Sequence, residues 1–234
     1  MKSTVAEIRE RFDNDVERFS NLETGQSATM DAPLVLELIA SGAGAINPDA
    51  KDLFDIGCGA GNYTLKLLQY LPNCNSTLND LSLPMLERAS QRVTAATTGS
   101  VNTIQGDIRE LELGEGSFDV ITAAMVLHHL REEQEWHDVF AKLHRALKPG
   151  GTLWIADHIT HADPRLDALF QSRWGEYLTE LKDEAYRDTV FAYVAKEDTP
   201  RPLMFQIDAQ RRAGFSHVEV LHKNTCFAAW VAIK

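Results

Sequence analysis

Three groups of residues in this chain carry side chains able to bind or react: the segment Asp55-Ile56-Gly57-Cys58-Gly59-Ala60-Gly61, the separate carboxylates Asp80 and Asp107, and the adjacent imidazoles His128 and His129. Glycines at alternate positions permit backbone conformations closed to other residues and let a ligand lie against the main chain. After the apolar pair Leu53-Phe54, such a turn falls where an open α/β sheet holds nucleotides, at the carboxyl end of its first strand. Asp55 sets the charge of the ligand. A carboxylate there repels a pyrophosphate and suits an amine or a hydroxyl, so the cradle fits a nucleoside with a cationic end. Asp80 lies 23 residues after Gly57, close to the offset at which an acidic side chain reaches a ribose. Its carboxylate can accept hydrogen bonds from the 2′- and 3′-hydroxyls; a surface or helix-capping aspartate is the plainer alternative. Leu81 is placed to touch an adenine, and Met85 serves equally well as core or as a wall of the cofactor pocket.

His128 and His129 follow an apolar run, residues 118–124, that reads as a central parallel strand buried on both faces. Both imidazoles are able to do acid or base chemistry near neutral pH, which makes them candidates for positioning an acceptor or taking its proton. A structural role is the alternative for each. His158 and His161 stand at the next strand end and can converge on them, but no third imidazole has metal-ligand spacing and no metal site is expected.

The elements that position these groups are legible from periodicity and punctuation. Residues 5–19 read as one helix with Val5, Ile8, Phe12, Val16 and Phe19 on its apolar side. Residues 30–39 read as a second, capped by Asp31 with Pro33 in its first turn and broken by Ser41-Gly42-Ala43-Gly44-Ala45. Together they make residues 1–45 an N-terminal helical cover. Strands are expected at 51–56, 76–80, 101–108, 118–124 and 152–156, alternating with helices at 62–71, from 83, and at 132–147, the last stopped by Lys148-Pro149-Gly150-Gly151. Residues 160–200, where Phe170, Trp174, Tyr177, Tyr186, Phe191 and Tyr193 are interspersed with charge, read as a helical cap inserted before the final helix at 203–213. Tyr177 and Tyr186 are expected to contact the acceptor, since such rings bury an apolar molecule while keeping a polar handle. Strands at 215–221 and 225–233, joined by a turn at 222–224, close the chain.

The segment from Asp55 to Gly61 resembles the first motif of the class I S-adenosylmethionine-dependent methyltransferases, and the resemblance extends in the expected order over residues 50–160 and more loosely to residue 234. It implies a single-domain α/β protein over residues 1–234: a three-layer α/β/α sandwich around a seven-stranded, mostly parallel, Rossmann-like sheet whose last strand is antiparallel. It implies S-adenosyl-L-methionine as cofactor, with Gly57, Cys58 and Gly59 under its methionine part and Asp55 toward its amino group. Asp107 then meets the adenine N6 amine and Ile108 covers a face of the ring. Ala124 and the residues after it resemble the fourth motif of that family, which borders cofactor and acceptor. The implied reaction is methyl transfer, in which the protein mainly holds donor and acceptor in line. A weaker resemblance, to the carboxy-S-adenosylmethionine synthases of tRNA modification, rests on Gly106-Asp107-Ile108-Arg109, Arg212-Ala213-Gly214-Phe215 and residues 227–234. The position where that branch has its carboxylate-binding arginine is Ala209 here.

Composition narrows the partners. The chain has 234 residues, 44% of them hydrophobic, enough for one substantial core with a modest cap. A formal charge of −11, from 34 acidic and 23 basic residues, favours a small-molecule substrate over nucleic acid. The three cysteines, Cys58, Cys74 and Cys226, have no metal-ligand spacing and suggest a reducing compartment. With no 18-residue apolar run and no basic leader, a soluble cytoplasmic protein without membrane partners is expected, and a homodimer is compatible with the sequence. Two other classes share part of the pattern: a nicotinamide dehydrogenase, whose pyrophosphate would sit poorly beside Asp55, and a non-catalytic nucleotide-binding protein.

Overall fold

The computed structural model describes residues 2–21 and 25–234, so Met1 and residues 22–24 of the expected cover lie outside the described residues. Its strands are β1 (Asp52–Ile56), β2 (Asn75–Asp80), β3 (Val101–Gln105), β4 (Phe118–Ala124), β5 (Leu147–His158), β6 (His217–Asn224) and β7 (Phe227–Ile233). They form one sheet in the order β3-β2-β1-β4-β5-β7-β6. Pairings from β3 through β5 are parallel, and β7 runs antiparallel to both neighbours. This is the expected seven-stranded sheet with its terminal hairpin. All β4 residues from Val120 to Ala123 are buried, because helices cover both faces.

On one face lie α3 (Ala32–Ile46), α4 (Asn62–Leu67) and α5 (Leu83–Thr94); on the other lie α6 (Glu133–Ala146) and α9 (Leu203–Ala213). Val35, Ile39, Leu67, Leu86 and Trp154 pack together on the first side. Trp136, Phe140, Leu143, Phe215 and Trp230 pack on the second. The remaining described α-helices, α1 (Val5–Asp13), α2 (Val16–Ser20), α7 (Pro164–Leu181) and α8 (Glu184–Glu197), stand over the carboxyl ends of the strands. A single 3₁₀ turn, Leu127–His129, follows β4 there. No helix among the described residues is long and apolar enough to cross a membrane.

Several boundaries differ from the sequence expectation. The first helix is two, because the chain leaves helical geometry at Asn14 and Asp15. Asp31 does not cap α3; at φ 57° its carboxylate instead accepts from His222 Nε2 and Asn224 Nδ2, both at 2.8 Å, tying α3 to β6. The terminal hairpin turns at Thr225-Cys226 and not at residues 222–224, with Thr225 at φ 49°. β5 begins at Leu147, so the Lys-Pro-Gly-Gly segment belongs to the strand, where Leu147 pairs with Phe118 ahead of a register shift.

The glycines at 42 and 44 do not break α3. They are interior helical residues whose missing side chains make room: a Cβ on Gly42 would lie 2.6 Å from Trp154 Cη2, and one on Gly44 would lie 2.7 Å from Tyr70 Cβ. Glycine costs a helix interior about 1 kcal/mol relative to alanine, so packing here opposes propensity. The Trp154 ring is fully buried, and overpacking a core costs about 1–3 kcal/mol. Gly42→Ala is therefore expected to lower the urea midpoint with an unchanged m-value; a midpoint that stays or rises would mean that the Trp154 ring yields freely.

Candidate active site

The glycine segment leaves β1 with Gly57 at φ 62°, Gly59 at φ 51° and Gly61 at φ 85°, and α4 starts directly after it. The first two glycines are needed for different reasons. A Cβ on Gly57 would lie 2.5 Å from Val126 Cγ2, so the loop is pressed against the turn after β4. A Cβ on Gly59 would meet nothing within 4 Å, so the backbone there faces open space. Met125, also left-handed at φ 54°, bends the chain so that Val126 reaches the loop; a non-glycine residue in that region is strained and such strain gathers at functional sites.

The open space belongs to a cavity of about 370 Å³, within the range of small-molecule sites. It is lined by Asp55, Gly57, Cys58, Gly59, Asp80, Leu81, Met85, Asp107, Ile108, Ala124, His128 and His129. Every residue expected to bind the cofactor, and both histidines, thus border one space. The cover contributes Ile8, Arg11, Phe12 and Phe19, and the cap contributes Trp174, Tyr193, Val194 and Asp198.

The three carboxylates on the glycine-loop side of the cavity are satisfied in three ways. Asp55, 1% exposed, accepts from Thr64 Oγ1 at 2.6 Å. Burial pushes its pKa up to about 7, against the Thr64 hydrogen bonds and with help from the Asp80 charge. Asp80 accepts from the backbone N–H of Gly59 at 2.8 Å and of Ser82 at 2.9 Å. Burial raises its pKa while those amides pull it down; each oxygen keeps a lone pair for a further donor. Asp107 is gripped by Arg109, with Nε at 2.9 Å from Oδ1 and Nη2 at 2.5 Å from Oδ2. The guanidinium lowers its pKa despite burial, and an amine at Asp107 would share the carboxylate with Arg109.

At the other end the histidines are built into a charged cluster. Asp157, at the end of β5, accepts from the His128 backbone N–H at 3.0 Å and lies 2.5 Å from His128 Nδ1. Asp198, just beyond α8, places Oδ1 3.7 Å from His128 Nε2 and 3.6 Å from His129 Nδ1. Burial alone would lower the His128 pKa, but Asp198 and Asp157 together raise it to about 9. For His129, burial and the neighbouring His128 charge hold the pKa down at about 3. Burial opposes the Asp198 charge, yet His128, His158 and His129 outweigh it and keep its pKa at about 2. The result is an imidazolium between two carboxylates beside a neutral imidazole.

Four placements were not foreseen. Asp157, at the end of β5, locks the His128 turn with its carboxylate. His161 does not join the cluster, its Nδ1 lying 3.3 Å from Asp167 on α7. Tyr177 and Tyr186 do not line the cavity, contrary to expectation: Tyr177 donates to Ser27 O at 2.8 Å, and both pack in the small apolar cluster where the cap meets Ala28, Met30 and the start of β7. Tyr193 and Trp174 hold the positions expected of them. Asp198 had no local signal, since a single acid after a charged helix looks like any cap residue.

A family model described as a methyltransferase domain matches residues 53–151. The chain is 32% identical over 214 residues to the carboxy-S-adenosyl-L-methionine synthase of Wolinella succinogenes, covering 86% of this chain and 84% of that protein. It is 28% identical over 197 residues to the synthase of the same name from Shewanella loihica, with 81% and 78% covered. Among solved structures it is similar to an O-methyltransferase family protein from Burkholderia thailandensis, with TM-score 0.66 and 18% identity over 98% of this chain and 61% of that longer one. Strand order, glycine loop and these relatives agree: the chain belongs to the class I S-adenosylmethionine-dependent methyltransferase family, an enzyme family with S-adenosylmethionine as cofactor.

Proposed function

We propose that this enzyme transfers the methyl group of S-adenosylmethionine to a small, partly apolar acceptor. The observation that carries the reading is the single cavity that runs from the open backbone at Gly59 to the His128-His129 turn and is walled there by Phe12, Phe19, Trp174 and Tyr193. The residues fit the cofactor. Gly57, Cys58 and Gly59 leave room for its methionine part, Asp55 is the acid beside that loop, Asp80 has acceptor capacity for ribose hydroxyls, and Leu81, Met85 and Ile108 supply apolar walls for the base. When bound, the cofactor supplies a methyl carbon already activated by its sulfonium.

The chain's own tasks are then positioning and exclusion of water. Ala124 and the turn after it border the place where donor and acceptor meet. His128 and His129 position the acceptor; His129, its pKa held down at about 3 by burial and the His128 charge, stays neutral as a hydrogen-bonding partner and is too weak a base to draw a proton from the acceptor at neutral pH. Three cationic side chains of the wall are engaged by acids: Arg11 by Glu197, Arg18 by Asp15, and Arg109 by Asp107 and Glu135. With a net charge of −11, this supports a small acceptor over a polyphosphate chain.

The named relatives favour a second reading, carboxy-S-adenosylmethionine synthesis. Ala209 is buried in α9 against the far-side core and does not reach the cavity, so it cannot stand in for a carboxylate-binding arginine. Arg131, however, lines the cavity, and among the described residues its guanidinium has only neutral partners, Thr199 Oγ1 at 3.0 Å and Ser3 O at 3.2 Å. Mass spectrometry of the small molecule carried by the purified protein separates the two readings, since only the second yields a product heavier than S-adenosylmethionine by one carboxylate group.

Asp80→Ala should weaken S-adenosylmethionine binding by roughly 10- to 100-fold, the loss of a charge-assisted hydrogen bond worth about 1.5–3 kcal/mol. Calorimetric titration would measure it, with a melting curve to show that freeing the Gly59 and Ser82 amides has not unfolded the loop; an unchanged dissociation constant removes Asp80 from the site. A pH dependence should accompany it. Because Asp55 ionises near pH 7, and only the ionised form attracts an ammonium group, donor affinity should rise between pH 6 and 8 and the rise should flatten in Asp55→Asn. Equal slopes in both proteins would place the donor's amino group elsewhere.

On the acceptor side, Tyr193→Ala should raise acceptor KM with little change in donor affinity, while Tyr186→Ala should change neither. The assay is donor-dependent methylation of a panel of amines, thiols, hydroxyl compounds and short RNAs. Turnover confined to RNA would overturn the small-molecule reading, and equal effects of the two tyrosine variants would detach the cap from acceptor choice.

A further inference from the structure

The cluster at the acceptor end has a geometry that proton chemistry alone leaves incomplete. His128 Nε2 and His129 Nδ1 lie 3.7 and 3.6 Å from the same Asp198 oxygen, and the three ligand-type atoms are all within 4.8 Å of one another. Adjacent ligands on a tetrahedral metal with bonds of about 2.0–2.1 Å stand roughly 3.3 Å apart, so these separations are wider by a few tenths of an ångström. We propose that His128, His129 and Asp198 form a mononuclear site for a divalent transition metal facing the cavity. Two imidazole nitrogens and one carboxylate suit zinc, iron(II), cobalt or manganese and leave coordination positions open to a further ligand.

Observations other than proximity point the same way. Asp157 lies 2.5 Å from His128 Nδ1 and is itself held by the backbone N–H of His128 at 3.0 Å and of His158 at 2.8 Å. This commits Nδ1 to the carboxylate and leaves Nε2 for a ligand bond, the outer support that metal-bound imidazoles have. His158 is 2% exposed, lines the same cavity, places Nδ1 3.8 Å from Asp198 Oδ2, and has a buried Nε2 with no hydrogen-bond partner among the described residues. An unmet polar atom in such a place calls for a further polar occupant.

The site joins two parts of the fold. Its imidazoles come from the turn after β4 and its carboxylate from the exit of the cap, so an ion there ties the cap to the sheet. The ligand that completes it comes from the cavity, either water or an oxygen atom of the acceptor; this last step, which makes the acceptor a hydroxyl or enol compound, rests on the methyl-transfer reading. Metal binding itself does not.

The test uses the full chain, freed of metal with a chelator and titrated with Co²⁺, followed by its absorption spectrum, and with Zn²⁺ by calorimetry. One equivalent should bind and raise the melting temperature. Binding should weaken at least tenfold in His129→Ala and in Asp198→Asn and should be unchanged in His161→Ala, whose imidazole lies outside the cavity. S-adenosylmethionine binding by the same samples reports whether each variant is folded, and it separates failure of this site from failure of the donor reading. Absence of saturable one-equivalent binding by either metal, or binding in both site variants as strong as in the unaltered protein, would overturn the proposal and leave an ion-paired structural cluster.

Discussion

The active-site end of this molecule depends on one buried carboxylate. Asp157 is 1% exposed and stands at the end of a central strand, where an unpartnered charge would be costly. It is stabilised by two backbone amides and the His128 ring, and leaving such a buried charge unpaired typically costs about 3–5 kcal/mol. That energy holds the turn after β4 in place. Much else hangs from the turn: the Thr199 amide donates to His128 O at 2.6 Å, which seats the cap exit, and Val126 closes against Gly57.

The cap in turn holds the cover. Glu197 receives Arg11 through two guanidinium nitrogens at 2.5–2.9 Å, and the Ser3 amide donates to Lys196 O at 2.9 Å. Asn62, at the start of α4, donates to Phe19 O at 2.9 Å and binds the cover to the glycine loop from the other side. Cover and cap are therefore not separate lids. They meet over the cavity through a partly buried, bidentate ion pair between Arg11 and Glu197, a stronger contact than an exposed one.

An acidic protein has placed a row of carboxylates at the ends of parallel strands, and their different partners divide the labour. Asp80, bonded to amides only, keeps capacity for hydroxyls. Asp107 is largely spent on Arg109. Asp55 is poised between charged and neutral by burial, which suits a residue asked to recognise an ammonium group without holding a permanent bare charge. Asp198 is surrounded by three imidazoles and stays ionised, and this contrast distinguishes the two ends of one cavity.

Much of this was readable from local chemistry. Left-handed glycines, an acid before them and another 23 residues on are features of short segments, and every residue they nominated borders the cavity. The sheet and its terminal hairpin were equally legible, because apolar runs and turn residues report on their own neighbourhood. Glycines 42 and 44 were misread as breakers for the same reason: propensity is local, whereas the demand of Trp154 and Tyr70 for space is not. The cap showed the limit most clearly. Its aromatics are scattered among charges with no single apolar face, so sequence could not say that Tyr193 and not Tyr177 or Tyr186 would face the cavity. By itself the sequence determined the family, the glycine loop and the histidine pair. Only the tertiary structure decided that Asp198 would stand beside His128 and that Arg11 would grip Glu197 across 186 positions of chain, because the partner of a charge at such separation is chosen by how whole helices pack and not by any spacing in the chain.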